Sequence, residues 1–326
     1  MKRNNVHFVL VLLTLVVILI WSTVEMLHED SEKEPYMISV IVSDSNDAHW
    51  VAMRDGLEQA AQNNNVILNY VSTSKFENIG DEFAVINREL ERGVDGLILQ
   101  LVDAGADSEI LSQIASRTAL MLIETDVNPQ ELYAYTGPDN TELGIALTEL
   151  IIDDFGTSIT GKRVGILAGE PDRLAIQQRL EGVRKGLEQS GAEIAWEITG
   201  SAESVRLKLD TKQTIDKADI LLALDNRETE LAVDYLSGLS TGGRAGTHLY
   251  GIGNSEKVVY YLDKGLIEYL VVPNEFNMGY QSIEALAEQL EYRGQRAKSE
   301  KVEYRTVNRT SLYDEGNQKL LFPIVQ

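Results

Sequence analysis

A chain can only do the chemistry its side chains allow, and here much of the usual catalytic set is missing. The 326 residues contain no cysteine, which removes thiolate nucleophiles, thiolate metal sites and disulfides together. The four histidines, His7, His28, His49 and His248, show no zinc-type spacing. No Gly-x-Gly-x-x-Gly follows the first strand candidate, so a dinucleotide site lacks its phosphate-binding turn. What remains is carboxylates, amides and a few aromatics placed just after short apolar runs. They are Ser43-Asp44-Ser45-Asn46-Asp47-Ala48-His49-Trp50, Glu124-Thr125-Asp126, Gly169-Glu170-Pro171-Asp172 and Asp225-Asn226. Such groups hold polar molecules through hydrogen bonds, most strongly where a charge is involved. That set implies recognition and supplies no nucleophile paired with a base.

The apolar runs that must position these groups alternate with amphipathic stretches from Met37 onward. Strand candidates are Ile38–Val42, Val66–Val71, Gly96–Gln100, Leu120–Ile123 and Ala134–Thr136, then Arg163–Ala168, Ile194–Ile198, Ile220–Ala223, Leu249–Ile252 and Tyr269–Val272. Between them, Trp50, Met53, Leu57, Ala60 and Ala61 recur at the three- and four-residue spacing of a helix face. Short strands that are apolar throughout and separated by helices predict parallel sheets covered on both faces.

The two series of strands echo one another. A helix with Asp55-Gly56-Leu57-Glu58-Gln59-Ala60 follows the first strand of one series. A helix with Glu181-Gly182-Val183 and Gly186-Leu187-Glu188-Gln189 follows the first strand of the other. The fold class is therefore α/β twice over, as two similar doubly wound lobes. Ligands of open α/β sheets bind at the carboxyl ends of the strands, so the cleft between two such lobes is the expected site. Gly238 to Gly246 is glycine-rich but falls between a helix and a strand, where it reads as a surface turn.

The N-terminus has a separate character. Lys2 and Arg3 precede an apolar run from Val6 to Val24, broken only by His7, Thr14, Ser22 and Thr23. A run of that length suits one transmembrane helix, which needs roughly 20 residues. The basic pair places residues 1–5 in the cytoplasm, and the acidic tether over residues 25–35 lies outside. The competing reading, a cleaved signal peptide, calls for a shorter apolar region and a small-x-small site. Ser22-Thr23-Val24-Glu25-Met26-Leu27 offers no such site. Both readings export the remaining, roughly 290-residue part, enough for two lobes of ordinary size. A formal charge of −22, from 29 basic and 51 acidic residues, argues against nucleic acid or an anionic membrane surface as partner.

Several segments in order resemble the sugar-binding branch of the type I periplasmic binding proteins. They are Arg92-Gly93-Val94-Asp95-Gly96-Leu97-Ile98-Leu99 and Tyr135-Thr136-Gly137-Pro138-Asp139-Asn140, followed by Gly251-Ile252-Gly253-Asn254-Ser255. Leu262-Asp263-Lys264-Gly265-Leu266-Ile267 and Asn277-Met278-Gly279-Tyr280 complete the set. Each is weak alone; the ordered set, spread over about residues 37–290, carries the resemblance. The resemblance implies two lobes that close on a small polar ligand by a hinge motion, with three chain crossings near Pro138, Asn274 and Tyr304. One lobe would be Tyr36–Pro138 with Asn274–Glu303, the other Asp139–Pro273 with Tyr304–Gln326.

The same resemblance implies a ligand set. From the first lobe come Asp44, Asn46, Asp47, His49 and Trp50, the last two matching the family's aromatic pair, with Glu124 and Asp126 after the fourth strand. From the second come Asp172, Gln177, Arg179, Asp225, Asn226 and Asn254, and Asn274 stands at a crossing. Other roles compete: Trp50 could belong to the core, Asp44 or Ser45 could cap a helix, and Arg179 could hold a neighbouring loop. Gln177 stands where many relatives carry a gripping arginine, and it cannot form the guanidinium fork. Gly253 replaces the aspartate of Gly-Phe-Asp, and Pro273 replaces a frequent glutamine. These departures put the usual sugar in doubt more than the fold. No metal or cofactor is implied.

A DNA-binding repressor shares the two-lobe fold, but it needs a helix-turn-helix where the apolar run stands. An enzyme lacks its nucleophile, base or metal set. The remaining contest is between a substrate receptor for an ABC permease and a receptor that reports its ligand to a sensor histidine kinase. A helix retained in the membrane suits the second at least as well. The tail Glu315-Gly316-Asn317-Gln318-Lys319-Leu320-Leu321-Phe322-Pro323 is similar to tails of membrane-anchored relatives.

Overall fold

The computed structural model describes residues 12–23, 34–45, 50–76, 78–102, 108–124, 133–239, 246–292 and 296–322. It divides into two units, Met1–Pro35 and Tyr36–Gln326.

In the first unit, residues 12–23 are helical. Their apolar side chains are exposed, from Val16 at 48% to Trp21 at 69%. At 1.5 Å per residue this stretch spans about 18 Å, against a hydrocarbon core of about 30 Å. Among the described residues no helix is long and apolar enough to cross a membrane. Residues 6–11 and 24 of the expected span lie outside the described set.

The second unit holds two six-stranded sheets. The first runs β1 (Tyr36–Ile41), β2 (Val66–Tyr70), β3 (Gly96–Leu99), β4 (Ala119–Ile123) and β5 (Ala134–Gly137). The second contains β6 (Arg163–Gly169), β7 (Glu193–Thr199), β8 (Ile220–Ala223), β9 (His248–Ile252) and β10 (Tyr269–Pro273). Two late strands complete them, β11 (Glu300–Lys301) and β12 (Tyr304–Asn308). The spatial orders are β11-β5-β4-β3-β1-β2 and β12-β10-β9-β8-β6-β7. Every pairing is parallel except β12 against β10.

The inner strands β3, β4 and β8 are buried along their whole length, which is why they read as unbroken apolar runs. Observed strands differ from the expected ones by a residue or two at their ends. The last two have no apolar run at all: Glu300 and Lys301 are exposed, and of Tyr304–Asn308 only Val307 is fully buried. Edge strands with one wet face leave a weak pattern in sequence.

Helices cover both faces of each sheet. In chain order they are α1 (Val51–Asn63), α2 (Ile79–Glu91), α3 (Ser108–Ala115), α4 (Asn140–Phe155) and α5 (Leu174–Leu187), then α6 (Ala202–Ile215), α7 (Asn226–Gly238), α8 (Glu256–Asp263), α9 (Glu275–Glu291) and α10 (Glu315–Leu321). Side chains of Asn78, Asp139, Ser201, Asp225, Ser255 and Asn274 accept from free N–H groups at helix starts, as short polar residues do at that position. The apolar residues fall into clusters on either side of each sheet. Ile38, Met53, Leu57, Ile283 and Leu286 lie on one face of the first, and Ile41, Ile86, Leu97 and Leu111 on the other.

The chain passes between sheets after β5, after β10, and between β11 and β12. Helix α4 follows β5 but packs on α5; α9 follows β10 but packs on α1. Both packings rest on glycine. A Cβ on Gly56 would stand 2.0 Å from the Phe276 carbonyl oxygen, and one on Gly182 would stand 2.1 Å from that of Thr141. These two glycines sit in the echoed motifs of the sequence, so the repeat has a cause: two helix pairs whose backbones nearly touch.

Candidate functional site

In both sheets the parallel strands deliver their carboxyl ends to the space between the lobes. The first sheet brings Ser43 and Asp44 after β1, Lys75 and Phe76 after β2, and Gln100 after β3. The second brings Glu170 and Arg173 after β6, then Asp225, Asn226 and Arg227 after β8. With Trp50 and Val102, these residues line a cavity of about 110 Å³. Outward, a hollow of about 580 Å³ shares Lys75, Phe76, Val102 and Glu170 with it and adds Pro171, Asp172, Gly200 and Ser201.

The cavity floor is an ion network between lobes. Arg173 Nη2 lies 2.8 Å from Glu124 Oε2, and its Nη1 lies 2.8 Å from Asp225 Oδ2. Arg179 reaches the same two carboxylates at 3.6 and 3.4 Å. It also donates through Nε to Asn140 Oδ1 at 2.8 Å and through Nη1 to the Leu224 carbonyl at 3.0 Å. Gln100 Nε2 donates to Glu124 Oε2 at 2.8 Å. Nearer the surface, Lys75 of the first lobe pairs with Glu170 of the second, and Arg227 Nη1 lies 3.5 Å from the same Glu170 oxygen.

Exposure of the central groups is low: Arg179 2%, Glu124 4% and Asp225 7%. Buried charges persist only when paired and hydrogen-bonded. Burial by itself would make the Arg173 guanidinium easier to deprotonate; the carboxylates of Glu124 and Asp225 outweigh it and hold its pKa above the ordinary value. Burial pushes Glu170 upward, and Lys75 and Arg227 more than reverse it, so its carboxyl titrates below the usual range. Glu228 behaves oppositely. Its pKa is raised, first by burial and then by the Asp225 charge, against the pull of Arg227.

Backbone strain marks the same place. Glu124 has φ 57° and Asp44 φ 51°, left-handed conformations uncommon outside glycine, though more common for aspartate than for glutamate. Such conformations cluster where a side chain must be aimed. Gly169, also left-handed, lies against the Glu228 carboxyl, which a Cβ there would approach to 2.5 Å.

The expected ligand residues separate into groups. Asp44 and Asn226 line the cavity, and Glu124, Arg179 and Asp225 form its floor network. Trp50 lines the cavity too, but it is 3% exposed, packs in the core with Val40 and Met53, and donates through Nε1 to the Ser43 carbonyl at 3.3 Å. Asp172 stands at the outer hollow. Gln177 is exposed, its amide donating to the Pro171 carbonyl at 2.7 Å, because it falls on the outer side of α5 from Arg179. Asn254 donates to Glu275 Oε2 at 2.9 Å, and Asn274 caps α9 at a crossing; neither lines the cavity. Asn46, Asp47, His49 and Asp126 lie outside the described residues.

Six cavity residues were not singled out from sequence: Lys75, Phe76, Gln100, Val102, Arg173 and Arg227. Arg173 carries a faint signal, as the cation that closes the run Glu170-Pro171-Asp172 after a strand. The glycine at 253 also acquires a reason. Its φ is 146°, and a Cβ would come within 2.4 Å of Asn226 Oδ1, so no aspartate fits there.

The fold and site define a two-lobe protein with a cavity in the cleft at the strand ends. The chain belongs to the periplasmic binding protein family: the model of that domain matches residues 38–295. It is a solute-binding protein and not an enzyme. Among proteins of curated function, no sequence matches the chain. Solved structures match its fold. A carbohydrate-transporter solute-binding protein from Agrobacterium radiobacter, in complex with D-arabinose, superposes with TM-score 0.79 at 15% identity, over 88% of this chain and 99% of that one. A solute-binding protein from Bacillus halodurans with bound myo-inositol gives 0.75 at 16%, over 89% and 100%. A chain of the XylFII–LytSN complex gives 0.72 at 15%, over 85% and 99%.

Proposed function

We propose that this chain binds a small sugar or related polyol between its lobes, outside the cytoplasmic membrane, and presents the bound form to a membrane partner. One observation carries the reading. The cavity lies at the carboxyl ends of both sheets and is walled by hydrogen-bonding groups from both lobes, with Asp44 in left-handed backbone at its wall and Glu124, also left-handed, bonded to the lining Gln100 and Arg173. Among the described residues its apolar wall is Trp50, Phe76 and Val102, and the rest of the lining is polar or charged. That suits hydroxyls better than a hydrocarbon. The sugars and cyclitol held by proteins of the same fold support the class of ligand.

The ligand set of this reading is Asp44, Trp50, Glu124, Asp225 and Asn226, joined by Arg173 and Arg227. Isothermal calorimetry and thermal shift with D-arabinose, myo-inositol and D-tagatose test it. Saturable heat and a rise in Tm with one of them is the expected result; a folded chain indifferent to a broad sugar panel refutes the reading.

The partner half of the proposal is a sensor histidine kinase, with an ABC permease as the second reading. Residues 6–24 would anchor the chain beside it as one transmembrane helix, and the exposed apolar side chains over residues 12–23 support that anchor. The XylFII–LytSN complex supports a protein partner for a chain of this fold. Carbonate extraction of membranes, followed by N-terminal sequencing of the mature chain, separates a retained helix from a cleaved signal.

A further inference from the structure

Gln177 turns its amide to the Pro171 carbonyl, away from the cavity, but Arg173 and Arg227 of the same lobe line it. Arg173 stands at the N-cap of α5 in extended backbone, φ −76° and ψ 120°, and its side chain makes no capping bond. It lines the cavity instead, with its side chain 12% exposed. Its two terminal nitrogens point to carboxylates on different lobes, each at 2.8 Å. Its Nε–H is buried and meets no acceptor. Arginine carries a planar set of five donors, so two arms can be committed while the third waits for a partner. A buried donor left unmet is costly, and in a cavity-lining side chain a ligand oxygen is the natural acceptor.

Among the described residues, no other cation of the cleft combines these features. Arg179 spans the same carboxylates, but it is 2% exposed and committed to Asn140 and the Leu224 carbonyl. Arg227 pairs with Glu170 and Glu228, both on its own lobe. Lys75 does reach across to Glu170, but its side chain is 53% exposed, where water and salt compete for it.

We propose that Arg173 couples occupancy of the cavity to closure of the lobes, tying Glu124 to Asp225 while keeping its Nε–H for an acceptor oxygen of the ligand. The closure half stands on the ion pairs alone; the ligand half rests on the binding function proposed above. In this arrangement Arg173 stands in for part of a ligand, so the empty chain spends much of its time closed. A ligand adds the last hydrogen bond to a cleft already drawn together.

The absence of cysteine gives a clean test. Asp81→Cys on the first lobe and Glu203→Cys on the second, both exposed positions, accept spin labels, and electron–electron resonance then reads the distance between lobes in the full chain in mild detergent. Without ligand, the parent should give a narrow, short distribution, and Arg173→Met should shift it to longer distances. Arg173→Lys, which keeps the charge but not the fork, should fall between. An Arg173→Met distribution that coincides with the parent overturns the latch. In calorimetry with whichever of D-arabinose, myo-inositol and D-tagatose the parent binds, Arg173→Met should bind at least tenfold more weakly; binding within twofold of the parent overturns the ligand half. A parent that binds none of the three sinks the ligand half together with the reading beneath it, and the distance measurement still decides the latch. A cooperative unfolding transition in Arg173→Met, with a Tm lowered by the lost ion pairs but above the temperature of both measurements, shows that the distances and affinities belong to a folded chain.

Discussion

Arg173 of the second lobe and Glu124 of the first meet nitrogen to oxygen at 2.8 Å, and both are nearly shut off from water. The pair spans the cleft of a binding protein, so the interaction that shapes the site also sets how the lobes sit. A neutral sugar entering this cleft meets carboxylates already partnered by arginine. Its hydroxyls must fit among engaged groups, which favours a ligand with matched geometry over one of mere charge.

Removing one member of the floor network should be costly. Glu124→Gln leaves two guanidinium groups with one carboxylate fewer between them. A broken buried pair costs on the order of 3–5 kcal/mol, and urea unfolding of the variant should show a loss near the lower end, since Asp225 remains. Arg179→Met should cost more than Arg173→Met. It forfeits the bonds to Asn140 and the Leu224 carbonyl as well as the ion pairs.

Two carboxyls in the cleft should give opposite pH responses. Glu228 has a raised folded pKa, first through burial. The folded state then holds its proton longer than the unfolded state, so stability falls as pH climbs from the ordinary carboxylate range through the raised value. Glu170 has a lowered folded pKa, so its contribution is present above the ordinary range and is lost as pH falls through the lowered value. Glu228→Gln should therefore match the parent at acid pH and exceed it in stability at pH 8. Urea midpoints across pH 4–8 check the sign; a variant less stable than the parent at pH 8 contradicts it.

The outer ion pair should matter for rates more than for stability. Lys75 and Glu170 join the lobes near the surface, with side chains 53% and 24% exposed, a setting where pairs contribute roughly 0–1 kcal/mol. Lys75→Met should change the urea midpoint little and should speed ligand release in stopped-flow fluorescence. Added salt should speed release from the parent and have less effect on the variant.

Trp50 has a double role that substitution can divide. It is 3% exposed and packs in the core while also lining the cavity. Trp50→Ala should cost about 3–5 kcal/mol and weaken binding as well, so it does not separate the two roles. Trp50→Phe keeps most of the buried ring and gives up the bond to the Ser43 carbonyl. It should remain folded and report the ligand effect by itself.

Close helix contact should make glycine irreplaceable at Gly182. Its Cα lies where an added Cβ would stand 2.1 Å from the Thr141 carbonyl oxygen, a backbone atom with no room to turn aside. Gly182→Ala should lose roughly 1–3 kcal/mol, as overpacked interiors do, measured by urea unfolding.

Much of this molecule is written locally. Leu97, Leu122 and Leu222 lie in strands buried along their whole length, so apolar runs marked the middle of both sheets. The echo of Gly56 and Gly182 marked their kinship, because equivalent helices must approach a neighbour's backbone in each lobe. The polar residues after each strand were legible for the same reason: strand ends in an open parallel sheet have to end somewhere useful. What sequence could not supply was choice among those polar groups. Whether Gln177 or Arg173 faces the cavity depends on the rotation of α5 and on the chain just before it, and Asn254 is drawn to Glu275 by a crossing far away in sequence. The family resemblance offered Trp50 as a ligand face, and its ring lines the cavity while packing in the core with Met53 and Val40. The pairing of Arg173 with Glu124 joins residues of separate sheets, and only the packing of one lobe against the other brings those charges together. Local periodicity specifies elements because each buries its own face; a site between lobes is settled by which side chains remain when every other contact has been made.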